Sequence, residues 1–299
     1  MRKTRPAGII LLLITAIIWG SSFVAQSVGM EKVDAFTFTG IRTLLGVIIL
    51  IPVNLSINRK FDLSRKTLTA GLALGIVFSL AQNFQQFAFY YSTSGKIAFI
   101  TAFYMFFVPL ISVIFLKKKV PFMVWVSVVL GLVGLFFLSI DPSDLTSFNP
   151  GDILALICAL FYSVQIILID RFLAKGISGV QLSLMEFIVG SVISLILMFI
   201  FEHPVIGDIM AASPALLYSG IMSCGIAYTL QIVGQKYTNP VVASILMCLE
   251  SVFAVIAAWL ILHEQMSSRE ALGCIIMFIA IILSQIPEWL SSRKKAALP

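Results

Sequence analysis

Three ionisable side chains lie several turns inside apolar runs of this chain: Arg42, Glu186 and Glu250. An ionised group at bilayer depth costs about 2.5 kcal/mol or more on insertion scales, so such residues face protein or water and mark a charge pair or a solute path. Arg42 and Glu186 fall at comparable depth in their segments. Two readings stay open for them: an ion pair that ties two halves of the molecule together, or charges that meet a charged solute or a proton. A carboxylate in a water-poor cavity can hold a cationic group and can also carry a proton, which makes Glu250 the sharpest functional candidate.

Amides and aromatics accompany these charges at helical spacing. Thr15, Trp19, Ser22 and Gln26 form one stripe, and Cys158, Tyr162, Gln165 and Ile169 form a second of the same spacing. Gln82, Asn83, Gln85 and Gln86 crowd a third segment, with Tyr228, Gln231 and Gln235 matching it later in the chain. Thr101, Tyr104 and Val108 have a counterpart in Met247, Glu250 and Ala254. Any single amide is as well explained by hydrogen bonding between helices, worth about 0.6 to 2 kcal/mol. A polar face repeated in segment after segment points instead to a shared cavity. The expected solute-binding set is Trp19, Ser22, Gln26, Gln82, Gln85, Gln86, Tyr104, Tyr162, Gln165, Tyr228, Gln231, Met247 and Glu250, with Glu250, Glu186 and Arg42 as coupling or paired charges.

The elements that must position these residues follow from composition. Of 299 residues 60% are hydrophobic and only 11% charged, with a mean hydropathy of +1.05, far from the values of a soluble domain. Ten segments approach the roughly 20 apolar residues a membrane helix needs. They run near Gly8–Val28, Ala35–Leu55, Leu68–Tyr91, Lys96–Leu116, Phe122–Ile140, Ile153–Phe172, Val180–Phe201, Ala212–Gln235, Val241–Leu262 and Ala271–Trp289. Continuous apolar runs exclude a β-barrel, whose strands alternate. The reading is an all-α integral membrane protein. The fifth and tenth segments are nearly featureless, so the cavity is expected among the other eight. The first segment is too long for a cleaved secretory signal and is read as a retained span.

Lys and Arg set the orientation. With both termini cytoplasmic, the inner segments hold Arg2, Lys3, Arg5, Arg59, Lys60, Arg65, Lys66, Lys117, Lys118, Lys119, Arg171, Lys175, Lys236, Arg293, Lys294 and Lys295, and the outer loops hold Lys32, Lys96 and Arg269. Sixteen against three, alternating loop by loop, supports ten spans in the plasma (inner) membrane. The net charge of +6 is then explained by topology and the anionic leaflet, and nucleic acid is not an expected partner. The four cysteines all fall in apolar spans and read as packing residues; no metal or other cofactor is expected.

The chain is also internally duplicated. A shift of 143 places Gly151 on Gly8, Ala159 on Ala16 and Tyr162 on Trp19; one of 144 places Glu186 on Arg42; one of 146 places Gln231 on Gln85, Tyr237 on Tyr91 and Glu250 on Tyr104. No basic residue therefore matches Glu250. Repeats are expected over 1–141 and 150–290, each of five helices, with a basic tail over 291–299. Five is odd, so the second repeat enters from the opposite side: inverted repeats around a central cavity, the build that secondary transporters use for alternating access.

Three stretches carry a family resemblance: Ile17-Ile-Trp19-Gly20-Ser21-Ser22-Phe23, Ala98-Phe-Ile-Thr101-Ala-Phe-Tyr104-Met-Phe-Phe-Val-Pro109, and Leu249-Glu250 through Trp259 to Glu264. Together they resemble the EamA-type ten-helix branch of the drug/metabolite transporter superfamily, over essentially the whole chain. The resemblance implies two five-helix repeats, a prokaryotic plasma membrane, and movement of small metabolites through a central cavity. Two departures stand out. Lys117-Lys118-Lys119 replaces the Glu that closes this loop in many repeats, whereas Glu264 keeps it in the second half. Ser251 stands where a Pro often follows the Leu-Glu pair, so the kink expected there has no proline to make it.

A phosphate-binding G-x-x-x-x-G-K-[ST] loop is missing, which favours secondary transport over ATP-driven pumping. His203 and His263 sit at loop edges without a Cys or carboxylate array, and no Ser/His/Asp arrangement is present, so an enzyme is not expected. Aromatics, amides and charges of both signs suit an amino acid, an organic amine or a similar amphipathic solute, with export favoured and protons as a candidate coupling ion. A channel-like permease and a carrier of nucleoside- or sugar-type metabolites stay as alternatives, and the oligomeric state is left open.

Overall fold

The computed structural model describes residues 6–139, 149–261 and 267–296. Glu264, His263, the Asp141–Asp144 loop and the basic N-terminal residues lie outside them, as do the side chains of the basic tail from residue 288 onward. All described elements are helices: α1 (Pro6–Met30), α2 (Ala35–Asn58), α3 (Arg65–Ala88), α4 (Ser94–Thr101), α5 (Tyr104–Ile114), α6 (Phe122–Ser139), α7 (Pro150–Ala174), α8 (Gly179–Phe201), α9 (Ile206–Ala211), α10 (Ser213–Leu217), a π-helical segment (Tyr218–Ala227), α11 (Tyr228–Gln235), α12 (Pro240–Met247), α13 (Leu249–Ile261) and α14 (Ser268–Ala296). Among the described residues eight rods are long and apolar enough to cross a bilayer, with Phe122–Leu138 as a shorter apolar helix. α14 packs along α6. The ten expected segments are therefore helical over most of their described residues, as they must be where no water is present to satisfy backbone N–H and C=O groups.

The two repeats interlock. α1 packs on α11, α12 and α13 of the second repeat, while α7 packs on α3, α4 and α5 of the first. α2 lies along α8, and α3 along both α7 and α8. α6 and α14 pack on each other as a pair, and their central stretches are apolar. Close approach of α1 to α13 depends on Gly20: a Cβ there would stand 2.5 Å from the Glu250 carbonyl oxygen and 2.7 Å from the Ala254 nitrogen. Only glycine lets these two helices meet.

Local sequence explains the helix starts. Thr93 caps α4 by accepting the Lys96 N–H, and at the matching position Asn239 caps α12 by accepting the Val242 N–H, with Pro240 in the first turn. Asn149 and Asp152 form a capping box at α7. α2 borrows its cap from the other repeat: the Glu202 carboxylate accepts the Phe36 and Thr37 N–H groups and the Thr37 hydroxyl, all at 2.7 Å. An anion at a helix N-terminus is favoured by the dipole as well as by these bonds.

Two spans are broken at matching positions. α4 gives way to α5 at Ala102–Phe103, where the Met105 and Phe106 N–H groups bond three residues back; α12 gives way to α13 at Cys248, where the Ser251 N–H does the same. The missing proline at Ser251 thus does not remove the break, because a tightened turn makes it instead. Cys248 Sγ donates to the Ala102 carbonyl oxygen at 3.5 Å, so the two breaks touch across the repeat interface. The eighth span carries a different irregularity, the π-helical turns that end where the Tyr228 N–H reaches the Ser223 carbonyl. Its matching stretch in α3 is regular α-helix.

Candidate functional site

The broken and π-helical spans converge on one cavity of about 30 Å³. It has room for about two or three water molecules, and a metabolite needs it to widen. α1 contributes Trp19, Phe23 and Gln26; α2 Arg42; α3 Gln82 and Gln85; the first broken span Thr101 and Tyr104. The second repeat contributes Tyr162, Gln165 and Ile166 from α7, Ser223 and Tyr228 and Gln231 from the eighth span, and Met247 and Glu250 from the second broken span.

Most of the expected set is therefore brought together, with three exceptions. Ser22 is buried off the cavity because α1 presents Trp19, Phe23 and Gln26, a face turned by about 40° from the centre of the polar stripe. Gln86 is fully buried with neither amide atom bonded; about 100° of helix turn separates it from Gln85. Glu186 lies behind the wall, bonded to Gln165. Four lining residues were not in the expected set: Phe23, Thr101, Ile166 and Ser223. Thr101 belongs to the polar face already visible in its segment, whereas Phe23 and Ile166 are apolar residues in apolar helices and carry no contrast. Those two occupy matching places, 143 residues apart, and both line the cavity. Phe23 packs with Ala88, Ile97, Ala98 and Ala155.

A hydrogen-bonded chain crosses the cavity wall. Arg42 Nη2 donates to Gln82 Oε1, and Gln82 Nε2 donates to the Tyr228 hydroxyl. The Tyr228 and Tyr162 hydroxyls share a hydrogen bond of 2.9 Å, and Tyr162 reaches Gln85 Oε1 at 3.5 Å. Gln82 and Tyr228 are themselves 146 residues apart, as are Tyr104 and Glu250, whose hydroxyl and carboxylate meet at 3.1 Å. Residues at matching positions thus face each other across the pseudo-two-fold axis. Trp19 leans on Tyr228 with ring centroids 4.6 Å apart, its indole N–H without a partner.

The charges are not paired with one another. Among the described residues the ion pairs are Lys96–Asp152 and Lys118–Asp170. Arg42 is held by an amide and its Nε has no partner; Glu186 and Glu250 are held by an amide and a phenol. The ion pair between Arg42 and Glu186 is not formed: α2 and α8 are in contact, but Arg42 turns to the cavity and Glu186 turns to Gln165. The residues are arranged so that one guanidinium and one carboxylate reach a common space, each neutralised only by dipoles. That arrangement can receive a solute with charges of both signs and an apolar part against Trp19, Tyr228 and Met247.

Two interlocked helical repeats around a polar, charged cavity at the repeat interface define a membrane transporter. The chain belongs to the EamA-like transporter family, whose pattern matches it twice, over residues 6–140 and 149–285. It is 26% identical over 276 residues to an uncharacterized transporter of Archaeoglobus fulgidus, covering 91% of this chain and 83% of that one. It is 24% identical over 281 residues to the uncharacterized transporter YoaV of Bacillus subtilis, covering 91% and 94%. A protein crystal structure shares the fold with a TM-score of 0.79 at 17% identity, over 95% of this chain and 98% of that one.

Proposed function

We propose that the chain is a secondary transporter that moves a small zwitterionic or cationic metabolite, such as an amino acid or an organic amine, across the plasma membrane by alternating access. The observation that carries this reading is the unpaired Arg42 and Glu250 in one cavity. A buried ion without a counter-ion costs several kcal/mol, and a zwitterion supplies both counter-charges at once. Glu250, with the Tyr104 hydroxyl beside it, would receive the ammonium group; Arg42, held by Gln82, would receive an anionic one. Glu250 is also the candidate to carry a proton when no solute is bound. The rocking elements are the two repeats, with Phe23 opening toward the outside and Ile166 toward the cytoplasm, and both chain termini cytoplasmic.

The test is counterflow in proteoliposomes with radiolabelled L-leucine, isoamylamine and isovalerate as zwitterionic, cationic and anionic probes that share one isobutyl group. Saturable counterflow of the zwitterion or the amine, lost in Glu250→Gln without loss of protein, is expected. Full counterflow in Glu250→Gln, or transport of isovalerate alone, sinks the assignment.

A further inference from the structure

Glu186 is completely buried in α8 and outside the cavity lining, yet it is tied to the cavity by two amides. Gln165 Nε2 donates to Glu186 Oε1 at 2.6 Å, and Gln165 Oε1 accepts from Gln231 Nε2 at 3.3 Å. Both glutamines line the cavity. At the far end of this chain Gln231 Oε1 has no hydrogen-bond partner, and at the near end neither has Glu186 Oε2. All three members are 0 to 1% exposed, out of reach of bulk solvent.

We propose that Glu186 is a proton-binding positioning residue that sets, through Gln165, whether Gln231 offers the cavity an acceptor or a donor. The inference rests on the cavity being the solute site. With Glu186 ionised, the carboxylate can only accept, which turns the Gln165 NH₂ toward it, the Gln231 NH₂ toward Gln165, and the Gln231 carbonyl to the cavity. A proton taken from hydronium, leaving water, makes one new O–H bond on Glu186 and removes its charge. With the proton on Oε1, the oxygen that faces Gln165, that O–H becomes a donor where the carboxylate had accepted. Gln165 then meets it with its carbonyl, Gln231 meets the Gln165 NH₂ with its own carbonyl, and the Gln231 NH₂ faces the cavity. The two ends of a primary amide have nearly the same shape, so both half-turns proceed without repacking. An ammonium-bearing solute is favoured in the first state and disfavoured in the second, which couples solute and proton in opposite senses.

The neighbours do not supply a competing switch. Gln165 approaches Glu186 from α7, Gly75 of α3 lies against its backbone, and Cys224 of the π-helical segment and Tyr228 of α11 share its field with Arg42 of α2. Arg42 is the fixed cation of this group and is engaged with Gln82.

The experiment needs no solute. pH-difference infrared spectra are recorded on the full chain in phosphatidylethanolamine–phosphatidylglycerol vesicles, with side-chain ¹³C-labelled glutamine. The wild type is expected to show a buried carboxylic-acid carbonyl band titrating together with a glutamine carbonyl shift. Glu250→Gln identifies the part of the acid band that belongs to Glu250, the other unpaired buried carboxyl among the described residues. Glu186→Gln should remove the rest of the band together with the glutamine shift, Glu186→Asp should restore both at a shifted midpoint, and Gln165→Leu should keep the acid band while losing the glutamine shift. Persistence in Glu186→Gln of the band that Glu250→Gln leaves in place, or of the glutamine shift in Gln165→Leu, overturns the relay. So does a glutamine signal that does not titrate. Failure of the leucine or amine counterflow leaves this result standing, so the two readings fail separately.

Discussion

At one end of the bundle Gly151 brings α7 against the Ala88 carbonyl oxygen and the Tyr91 Cβ, each 3.0 Å from where a glycine Cβ would stand. At the other end Gly8 brings α1 against the Gly234 carbonyl oxygen at 3.0 Å and the Tyr237 Cβ at 2.9 Å. These are the same contacts in the two repeats, and among the described residues the first end adds an ion pair that the second does not repeat. Lys96 Nζ and Asp152 Oδ2 stand 2.9 Å apart with their side chains 11% and 4% exposed. Their matching positions at the other end are Val242 and Ile9. Duplication preserved the steric seal and not the charge. The end assigned to the outside by its flanking charges is therefore held by packing and an ion pair, and at the end assigned to the cytoplasm the described residues repeat the packing without that pair. The expected consequence is a resting state biased toward outward closure.

That comparison can be broken in stages. Phe23→Ala truncates a buried ring that lines the cavity, and a buried Phe truncation is expected to lower stability by about 4 kcal/mol, read as a drop in thermal unfolding temperature in detergent. Labelling of a cysteine at Gln26 from outside should rise in parallel. Next, Lys96→Met leaves Asp152 buried without its cation, which costs about 3 kcal/mol for a broken buried pair and shifts outward opening by about 100-fold. Unchanged labelling in this variant means that packing alone closes the outer end. The smallest effect is expected for Ile166→Val, at the position that matches Phe23 in the second repeat, about 1 kcal/mol in the same melting measurement. A loss larger than that of Lys96→Met reverses the assigned order of the two seals.

Residues that contrast with their surroundings were legible in the sequence. An amide or a charge in an apolar helix stands out, and Gln82, Gln85, Tyr104, Tyr162, Gln165, Tyr228, Gln231 and Glu250 were readable for that reason. So was the pairing of repeats, since Tyr91 and Tyr237 or Thr93 and Asn239 keep their chemistry across 146 residues. Phe23 and Ile166 were not legible, because an apolar side chain gives no hint of whether it faces lipid, protein or a cavity. Ser223 escaped because π-helical turns interrupt the 3.6-residue period on which facing is read. The separation of Arg42 from Glu186 depends on how two helices are rotated about their own axes, which depth along each segment does not determine. The break at Cys248 lacks a Pro or Gly to announce it and follows from contact with its matching break at Ala102.

The central claim is that the repeats rock around one cavity so that its two sides open in turn. It is tested most directly with single cysteines at Gln85 and Gln231, repeat mates on opposite sides of that cavity, in a chain whose four native cysteines are replaced by alanine or serine. An impermeant thiol reagent is applied separately to the outer and cytoplasmic faces, with and without Lys96→Met. The account predicts that Lys96→Met raises labelling at position 85 from outside and lowers labelling at position 231 from the cytoplasm. Labelling that rises at both positions together, or moves at neither, contradicts it.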